Sequence, residues 1–339
     1  MVDNRWVCVT AAETQIGFRI AETLLIHIDF CAKINRVVAL TTHPDSDRVK
    51  FLGRCGAAVV PHRRRYEYEI LRALQMGGCD TICLVPPANG ERFHILLDIV
   101  SAAKLLGIPN ICFISSVGCD VADPHWQPGL RLFFDMERYL LNTMRDPDSP
   151  LRYSPVVIRP GFYTDNVSAQ FNAGQDTGQD NTATMFLPID DHDRFAPMAL
   201  TDLALLAAHI LTGHGQHGFD DRHHGQLIIC TGPVLVTGRE LATAASAAFG
   251  IQIDFKSASH RVSRSNWARV SQGFHYDPNC LLELLTLVSE GKITFTSTIA
   301  FHDITGYKPH SPQDFFNAAA EAARRQHEPS PQPNLQLLN

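Results

Sequence analysis

Short apolar runs alternate with amphipathic stretches through the first half of the chain. Each run is short enough for a buried strand, and the stretches between the runs have helical periodicity. The predicted strands are 6–9, 37–40, 57–60, 81–85, 111–115 and 156–158. Alternation of this kind predicts a parallel sheet with right-handed crossovers and helices on both faces.

The pattern changes after Asn166. A polar stretch at 173–184 lacks apolar periodicity and is predicted to be a mobile loop or lid. Predicted helices follow at 200–211, 239–249, 278–289 and 312–325, with strands at 226–230 and 252–255. The sequence therefore predicts an α/β protein with a doubly wound, Rossmann-like parallel sheet and a smaller, mostly helical second lobe. The predicted boundaries are 1–166 for the sheet domain, 167–327 for the second lobe, with elements shared between the two left open, and 328–339 for a disordered tail.

Composition and charge narrow the class of protein. The 339 residues are 45% hydrophobic and 19% charged, enough to bury a full core. A formal net charge of −6 gives no electrostatic reason to bind nucleic acid or an anionic membrane, and no apolar run has the length of a membrane span. Nine cysteines without a C-x-x-C pair indicate reduced thiols, which favours a cytoplasmic location.

Five histidines are concentrated between residues 209 and 224. They are His209, His214, His217, His223 and His224. Glycines and aspartates lie among them, and no two have the helical spacing of a known ligand pair. We expect a polar surface connection here and no metal site.

The segment from Val7 to Gly17 has the outline of a dinucleotide-binding turn, because a strand leads through a short turn into a helix. The three glycine places of that fingerprint hold Ala11, Thr14 and Gly17. Gly17 retains close helix packing, whereas the side chains of Ala11 and Thr14 would crowd the phosphate approach. Glu13 adds a carboxylate where an anion would sit on the helix N-terminus. We therefore expect no cofactor, with NADP bound by a still competent loop as the alternative.

Motifs at later strand ends add a family resemblance. They are 38–44, 56–60, 79–87, 114–118 and 158–166, the last being Ile-Arg-Pro-Gly-Phe-Tyr-Thr-Asp-Asn. Over about residues 5–325 the chain resembles the NmrA-like family of atypical short-chain dehydrogenases/reductases, which implies a Rossmann fold. Compared with that family, Thr42 stands where NADP-binding members usually have an arginine for the 2′-phosphate. Phe133 stands where many active members have a lysine.

Three functions remain open at this point. The first, favoured by the altered cofactor positions, is a cofactor-independent, non-redox isomerase, dehydratase or cyclase that acts on a small hydrophobic specialised metabolite. The second is an NAD(P)H-dependent reductase of a secondary metabolite. The third is a regulator without chemistry, as the resemblance to the family's founding repressor implies. The oligomeric state is left open.

The candidate site lies at the carboxyl ends of the strands, where parallel sheets bind their ligands. An apolar, aromatic pocket wall suits a hydrophobic metabolite. It comprises Pro86, Pro87, Ser115, Ser116, Trp126, Phe133, Phe134 and Asn166. The predicted acid–base residues are His125, Asp135, Tyr163 and Asp165, because each is titratable and close to this wall in sequence.

Overall fold

The strands and helices follow the alternation seen in the sequence. The computed structural model describes residues 5–62, 67–88, 90–144, 155–172, 182–215, 219–220, 222–271 and 277–327. The strands of this part are β1 Arg5–Val9, β2 Ile34–Thr41, β3 Ala58–Pro61, β4 Thr81–Leu84, β5 Asn110–Ile114, β6 Val156–Pro160, β7 Thr182–Leu187, β8 Leu227–Cys230 and β9 Gln252–Ser257. The helices are α1 Gln15–Ile26, α2 Ile28–Cys31, α3 Asp47–Arg54, α4 Glu67–Gly77, α5 Arg92–Leu106, α6 Pro128–Met144, α7 Thr164–Asn172, α8 Leu200–Leu211, α9 Gly238–Phe249, α10 His260–Ser271, α11 Pro278–Ser289, α12 Ile299–Thr305 and α13 Pro312–His327.

The central sheet has seven parallel strands in the order β3-β2-β1-β4-β5-β6-β8. The chain runs outward from β1 through β2 and β3, and then returns to place β4 on the other side of β1. The order therefore reverses between β1 and β4, which is the switch point where such sheets bind ligands. This arrangement confirms the predicted doubly wound, Rossmann-like class. Because β8 completes the sheet, the sheet draws on both sides of the predicted boundary at residue 166.

Both faces of the sheet are buried, because successive side chains of a strand point to opposite faces. Val7 and Val9 belong to one core cluster with residues of α1 and α8. Cys8, between them, belongs to a second cluster with residues of α4, α5 and α6. Helices on both faces leave the carboxyl ends of the strands as the place for a cleft.

The second lobe is built on a small parallel sheet of β7 and β9, with α7, α9, α10, α11 and α13 around it. Its core includes Trp267, Leu285 and Phe316. Residues 182–184, predicted as part of a polar loop, are the start of β7. This part of the prediction was wrong because pairing with β9, distant in sequence, and burial of Met185 and Leu187 order the segment. The rest of that stretch, 173–181, and the tail 328–339 lie outside the described residues.

The cysteines are not cross-linked, and the described histidines form no metal centre. All nine cysteines are free thiols. No three histidine, cysteine or acidic residues come together as a metal-binding group within the described ranges, which exclude His217. Among the helices of those ranges, none combines the length and apolarity needed to cross a membrane.

Candidate functional site

A cleft lies at the carboxyl ends of the central strands, and the empty space at its walls, open solvent included, is about 850 Å³. Its floor is formed by the start of α1 and the residues after β4, β5 and β6, and α11 forms part of its roof. Six predicted pocket residues line it: Pro86, Pro87, Ser115, Ser116, Phe133 and Asn166. The sequence therefore located the strand ends that build the cleft, while the roof from α11 was not predicted.

The loop before α1 keeps the backbone shape of a dinucleotide-binding turn. Ala11, at the first glycine place, has a φ of 47° and so lies in the left-handed region. A Cβ atom on Gly17 would come within 2.4 Å of the Ala11 carbonyl oxygen, so only glycine allows this approach of helix and loop. The turn is thus maintained despite the loss of its first two glycines.

The side chains expected to crowd a phosphate are engaged in other contacts, although Thr14 is among the residues that line the cleft. Ala11 is buried in the core cluster on one face of the sheet. The Thr14 hydroxyl donates to the Ala11 carbonyl oxygen at 2.7 Å and accepts the Gly17 amide at 3.1 Å, so it caps α1. Thr14 is only 4% exposed.

The Glu13 carboxylate is held at the end of β2 and not on the first amides of α1. It accepts the Thr41 hydroxyl at 2.7 Å and the Thr42 hydroxyl at 2.8 Å. Burial disfavours its charged form, but these hydrogen bonds outweigh burial and hold the pKa of Glu13 below its ordinary value. Thr42, at the family's arginine place, therefore orients a negative charge.

The N-terminus of α1 presents donors to the cleft. Gln15 and Ile16 line it, and their backbone amides bond to none of the described residues. Unpaired amides at a helix N-terminus, together with the helix dipole, favour an anion such as a pyrophosphate. The residues present therefore fit a dinucleotide at this part of the cleft.

Another part of the cleft wall is apolar and aromatic. Phe133 lines it with Phe162, Leu281 and Leu284, and the Arg92 guanidinium lies 5.4 Å from the centre of the Phe133 ring. Arg92 is itself buried and forms an ion pair with Asp277 at 3.1 Å. This part suits a flat hydrophobic molecule.

Two residues assigned to this pocket lie outside it. Phe134 faces away from the cleft, packs on the second-lobe core and is covered by Arg131 at 4.4 Å. Trp126 is 74% exposed on the loop before α6. Both assignments were wrong, because neighbouring positions on a helix point about 100° apart and the loop turns its indole to solvent.

Of the predicted acid–base residues, Tyr163 alone lines the cleft. Its hydroxyl is buried without a partner among the described residues, and burial raises its pKa well above the ordinary value. Asp165 is partly buried and accepts the Leu200 amide at 2.9 Å, at the start of α8. That contact makes Asp165 a helix cap, so its placement among the cleft residues was wrong.

His125 and Asp135 are also away from the cleft. The His125 ring packs edge-on against Trp126, with ring centres 4.7 Å apart, on the exposed loop. The Asp135 carboxylate lies 3.8 Å from Arg138 on the outer face of α6. Both positions were chosen from sequence proximity to strand ends, and the direction of each side chain removes it from the pocket.

A buried polar network behind the cleft was missed in the sequence. The Ser115 hydroxyl donates to the Glu137 carboxylate at 2.5 Å, and Arg159 binds the same carboxylate through Nε and Nη2 at 2.8 and 2.6 Å. Arg159 lies in the 158–166 motif, and Glu137 lies one helical turn after Phe133. Those two signals could have identified the pair, which orients Ser115 in the cleft wall.

The sheet order, the turn before α1 and the cleft together have the form of a Rossmann dinucleotide fold. No protein-family model matches the sequence. Among solved structures, the NADPH complex of an Escherichia coli NADPH-dependent quinone oxidoreductase has 18% identity and a TM-score of 0.68, over 92% of this chain and 99% of that one. Citrobacter sp. triphenylmethane reductase with NADP(H) has 16% identity and a TM-score of 0.69, over 93% and 99%.

The negative transcriptional regulator NmrA, in complex with NAD, is 14% identical, with a TM-score of 0.62 over 97% of this chain and 99% of that one. The fold is therefore that of NmrA and of related reductases, as the resemblance implied. In sequence, the NAD(P)H azoreductase of Xenophilus azovorans is 23% identical over 176 residues, 52% of this chain. The match spans 53% of that curated relative, about half its length.

The expectation of a protein without a cofactor was wrong. The three similar structures named above are complexes with NADPH, NADP(H) or NAD, and the curated relative is an NAD(P)H azoreductase. The physical argument for that expectation also fails. Ala11 and Thr14 turn their side chains into the core and the helix cap, and Glu13 is held at β2.

Proposed function

We propose that the protein is an NAD(P)H-dependent reductase that transfers a hydride to an apolar aromatic acceptor in the cleft. The continuity of the cleft carries this proposal. One lining includes Gln15 and Ile16, with their donor amides, together with Ser115 and the aromatic ring of Phe133. Residues suited to a cofactor and residues suited to an acceptor thus share one cavity.

Different residues of the cleft would bind different parts of the nucleotide. The amides of Gln15 and Ile16 would hold the pyrophosphate, and the adenosine ribose would lie near the end of β2. Pro86 and Ser115, after β4 and β5, would flank the nicotinamide. When bound in its reduced form, that group supplies a hydride.

The apolar wall favours an acceptor that needs no proton from the protein during transfer. Burial raises the pKa of the Cys280 thiol to about 12 and raises that of Tyr163, so both are weak acids. Ser115 already donates to Glu137. Hydride addition to a cationic triarylmethane forms a C–H bond at the central carbon and gives a neutral product that needs no proton. Addition to a quinone or an azo compound leaves an anion stabilised by the adjoining aromatic system, and its proton comes from water. The names of the similar reductases support this class of acceptor.

The test is reductase activity of the purified protein. NADH and NADPH are each offered with a quinone, an azo dye and a triarylmethane dye, and cofactor oxidation is followed together with acceptor reduction. We expect the two electrons of each oxidised cofactor to appear in the reduced acceptor. Product formation without oxidation of nicotinamide would contradict the proposal.

A nucleotide-binding regulator is the second candidate. The presence of Phe133 in place of the family's lysine favours it, because a phenyl ring neither donates a proton nor bonds a ribose hydroxyl. Tight nucleotide binding with no turnover of any acceptor class would support this candidate over the reductase.

A further inference from the structure

The end of β2 carries a fixed negative charge. Glu13 is 3% exposed, although it belongs to the loop before α1. Its Oε2 accepts the Thr41 hydroxyl, its Oε1 accepts the Thr42 hydroxyl, and His43 Nδ1 lies 3.5 Å from Oε1. These contacts from consecutive residues of one strand end hold the carboxylate in one orientation.

This position matters because a dinucleotide places its adenosine ribose over the end of the second strand. An acidic side chain there accepts a hydrogen bond from the 2′-hydroxyl of NADH. In this protein Thr41, Thr42, His43 and the backbone amide of Glu13 itself already occupy the carboxylate, so Glu13 acts on a nucleotide through its negative charge. A 2′-phosphate brings a like charge to this place, whereas the 2′-hydroxyl of NADH does not.

Positive charge also lies near the loop. Arg48 donates to the backbone carbonyl oxygen of Glu13 at 3.2 Å. Burial and the neighbouring charge of Arg19 lower the pKa of Arg48, and Arg19 is itself paired with Glu22. Arg48 therefore bonds the backbone of Glu13, while threonine hydroxyls, which carry no charge, bond the carboxylate on both oxygens.

We propose, on the basis of the reductase function above, that Glu13 makes this protein selective for NADH over NADPH. The carboxylate is delivered from the loop before α1 and oriented by the β2 threonines. It acts as the fixed negative charge that repels a 2′-phosphate.

The experiment measures binding of NADH and NADPH to the full-length protein by titration calorimetry, without an acceptor. We expect the wild-type Kd for NADH to be at least about tenfold lower, the scale of one like-charge contact. Glu13→Gln should lose most of this preference by binding NADPH more tightly. Glu22→Gln removes one charge from α1, away from β2, and should keep the preference.

The ratio of the wild-type Kd values for NADPH and NADH tests the proposal even if Glu13→Gln does not fold. Glu13→Asp then provides a second variant, in which the negative charge is kept on a side chain one methylene shorter. Equal or tighter binding of NADPH by the wild type overturns the proposal. So does loss of NADPH binding in Arg48→Gln with no effect of Glu13→Gln, because Arg48 would then be the selective group. Failure of both nucleotides to bind overturns the reductase function itself.

Discussion

Ala11 carries backbone strain in the loop before α1. Among the described residues it is the one non-glycine with a positive φ, 47°. A left-handed residue with a Cβ costs about 1–2 kcal/mol. The packing of α1 on β1 maintains it, since the Ala11 carbonyl oxygen lies where a side chain on Gly17 would be. A residue can therefore lose its glycine identity and still keep the conformation that the site needs.

Phe133 provides the residue-scale prediction. Its ring lines the cleft, is partly buried and contacts Arg92. Phe133→Ala should lower kcat/KM for an aromatic acceptor about tenfold, the loss of one aromatic contact. It should cost less stability than the ~3–5 kcal/mol of a core phenylalanine. Steady-state kinetics and urea unfolding measure the two effects.

Phe134→Ala is the matched control, because Phe134 is next in sequence but packs outside the cleft. We expect it to reduce stability and leave the KM of the acceptor unchanged. The opposite pattern, with Phe133→Ala unfolded and Phe134→Ala kinetically impaired, would exchange the roles of the two rings.

At the scale of elements, Asp165 links α7 to α8. Its carboxylate accepts the Leu200 amide, and burial raises its pKa above the ordinary value. The unfolded chain therefore ionises first, and the contribution of this group to stability falls as pH rises through the folded-state pKa. Asn at this position retains an acceptor for Leu200 but cannot ionise. Asp165→Asn should therefore gain stability relative to the wild type as pH rises from about 3 to 7.

Urea unfolding at several pH values tests this prediction. Asp135→Asn, at an exposed position on α6, should change stability by less than about 0.5 kcal/mol throughout. A catalytic Asp165 would instead show itself as a large loss of turnover in a variant of unchanged stability.

Periodicity was sufficient to predict most elements. The helices 200–211 and 278–289 were predicted with the bounds of α8 and α11, and the strand ends at Pro86 and Ser115 were placed correctly in the cleft. The predictions that failed concern features set by contacts between residues that are distant in sequence. The start of β7 is ordered by β9, and α11 reaches the cleft across a sequence separation that carries no local signal. The direction of a side chain, as in Phe134, depends on packing.

At the scale of the whole molecule, the cleft lies where separate cores meet. Phe133 packs against the cluster between the sheet and α4–α6, and also against the second-lobe cluster. Tyr163 packs against the cluster on the other face. An acceptor bound here would therefore contact both the sheet and the second lobe. We expect the side-chain contacts between these two parts to control entry of the acceptor into the cleft.

The ion pair of Arg92 and Asp277 is such a contact. It joins the start of α5 to the residue before α11, and Arg92 also donates to the Gly129 carbonyl oxygen at the start of α6. Asp277→Asn keeps an acceptor for the Asn279 amide at the start of α11 but leaves the buried guanidinium without its counter-charge. We expect a loss of about 1–3 kcal/mol.

Arg92→Met together with Asp277→Asn removes both charges and should recover part of that loss, giving a coupling of about 0.5–3 kcal/mol in a double-mutant cycle. Urea unfolding of the two single variants and the double variant measures it. Hydrogen exchange should increase across α11 in Asp277→Asn, because the roof of the cleft is then held less firmly, and the KM of the acceptor should rise while the Kd of the nucleotide stays constant. Strictly additive stabilities with unchanged exchange in α11 would show that the pair does not hold the second lobe over the cleft.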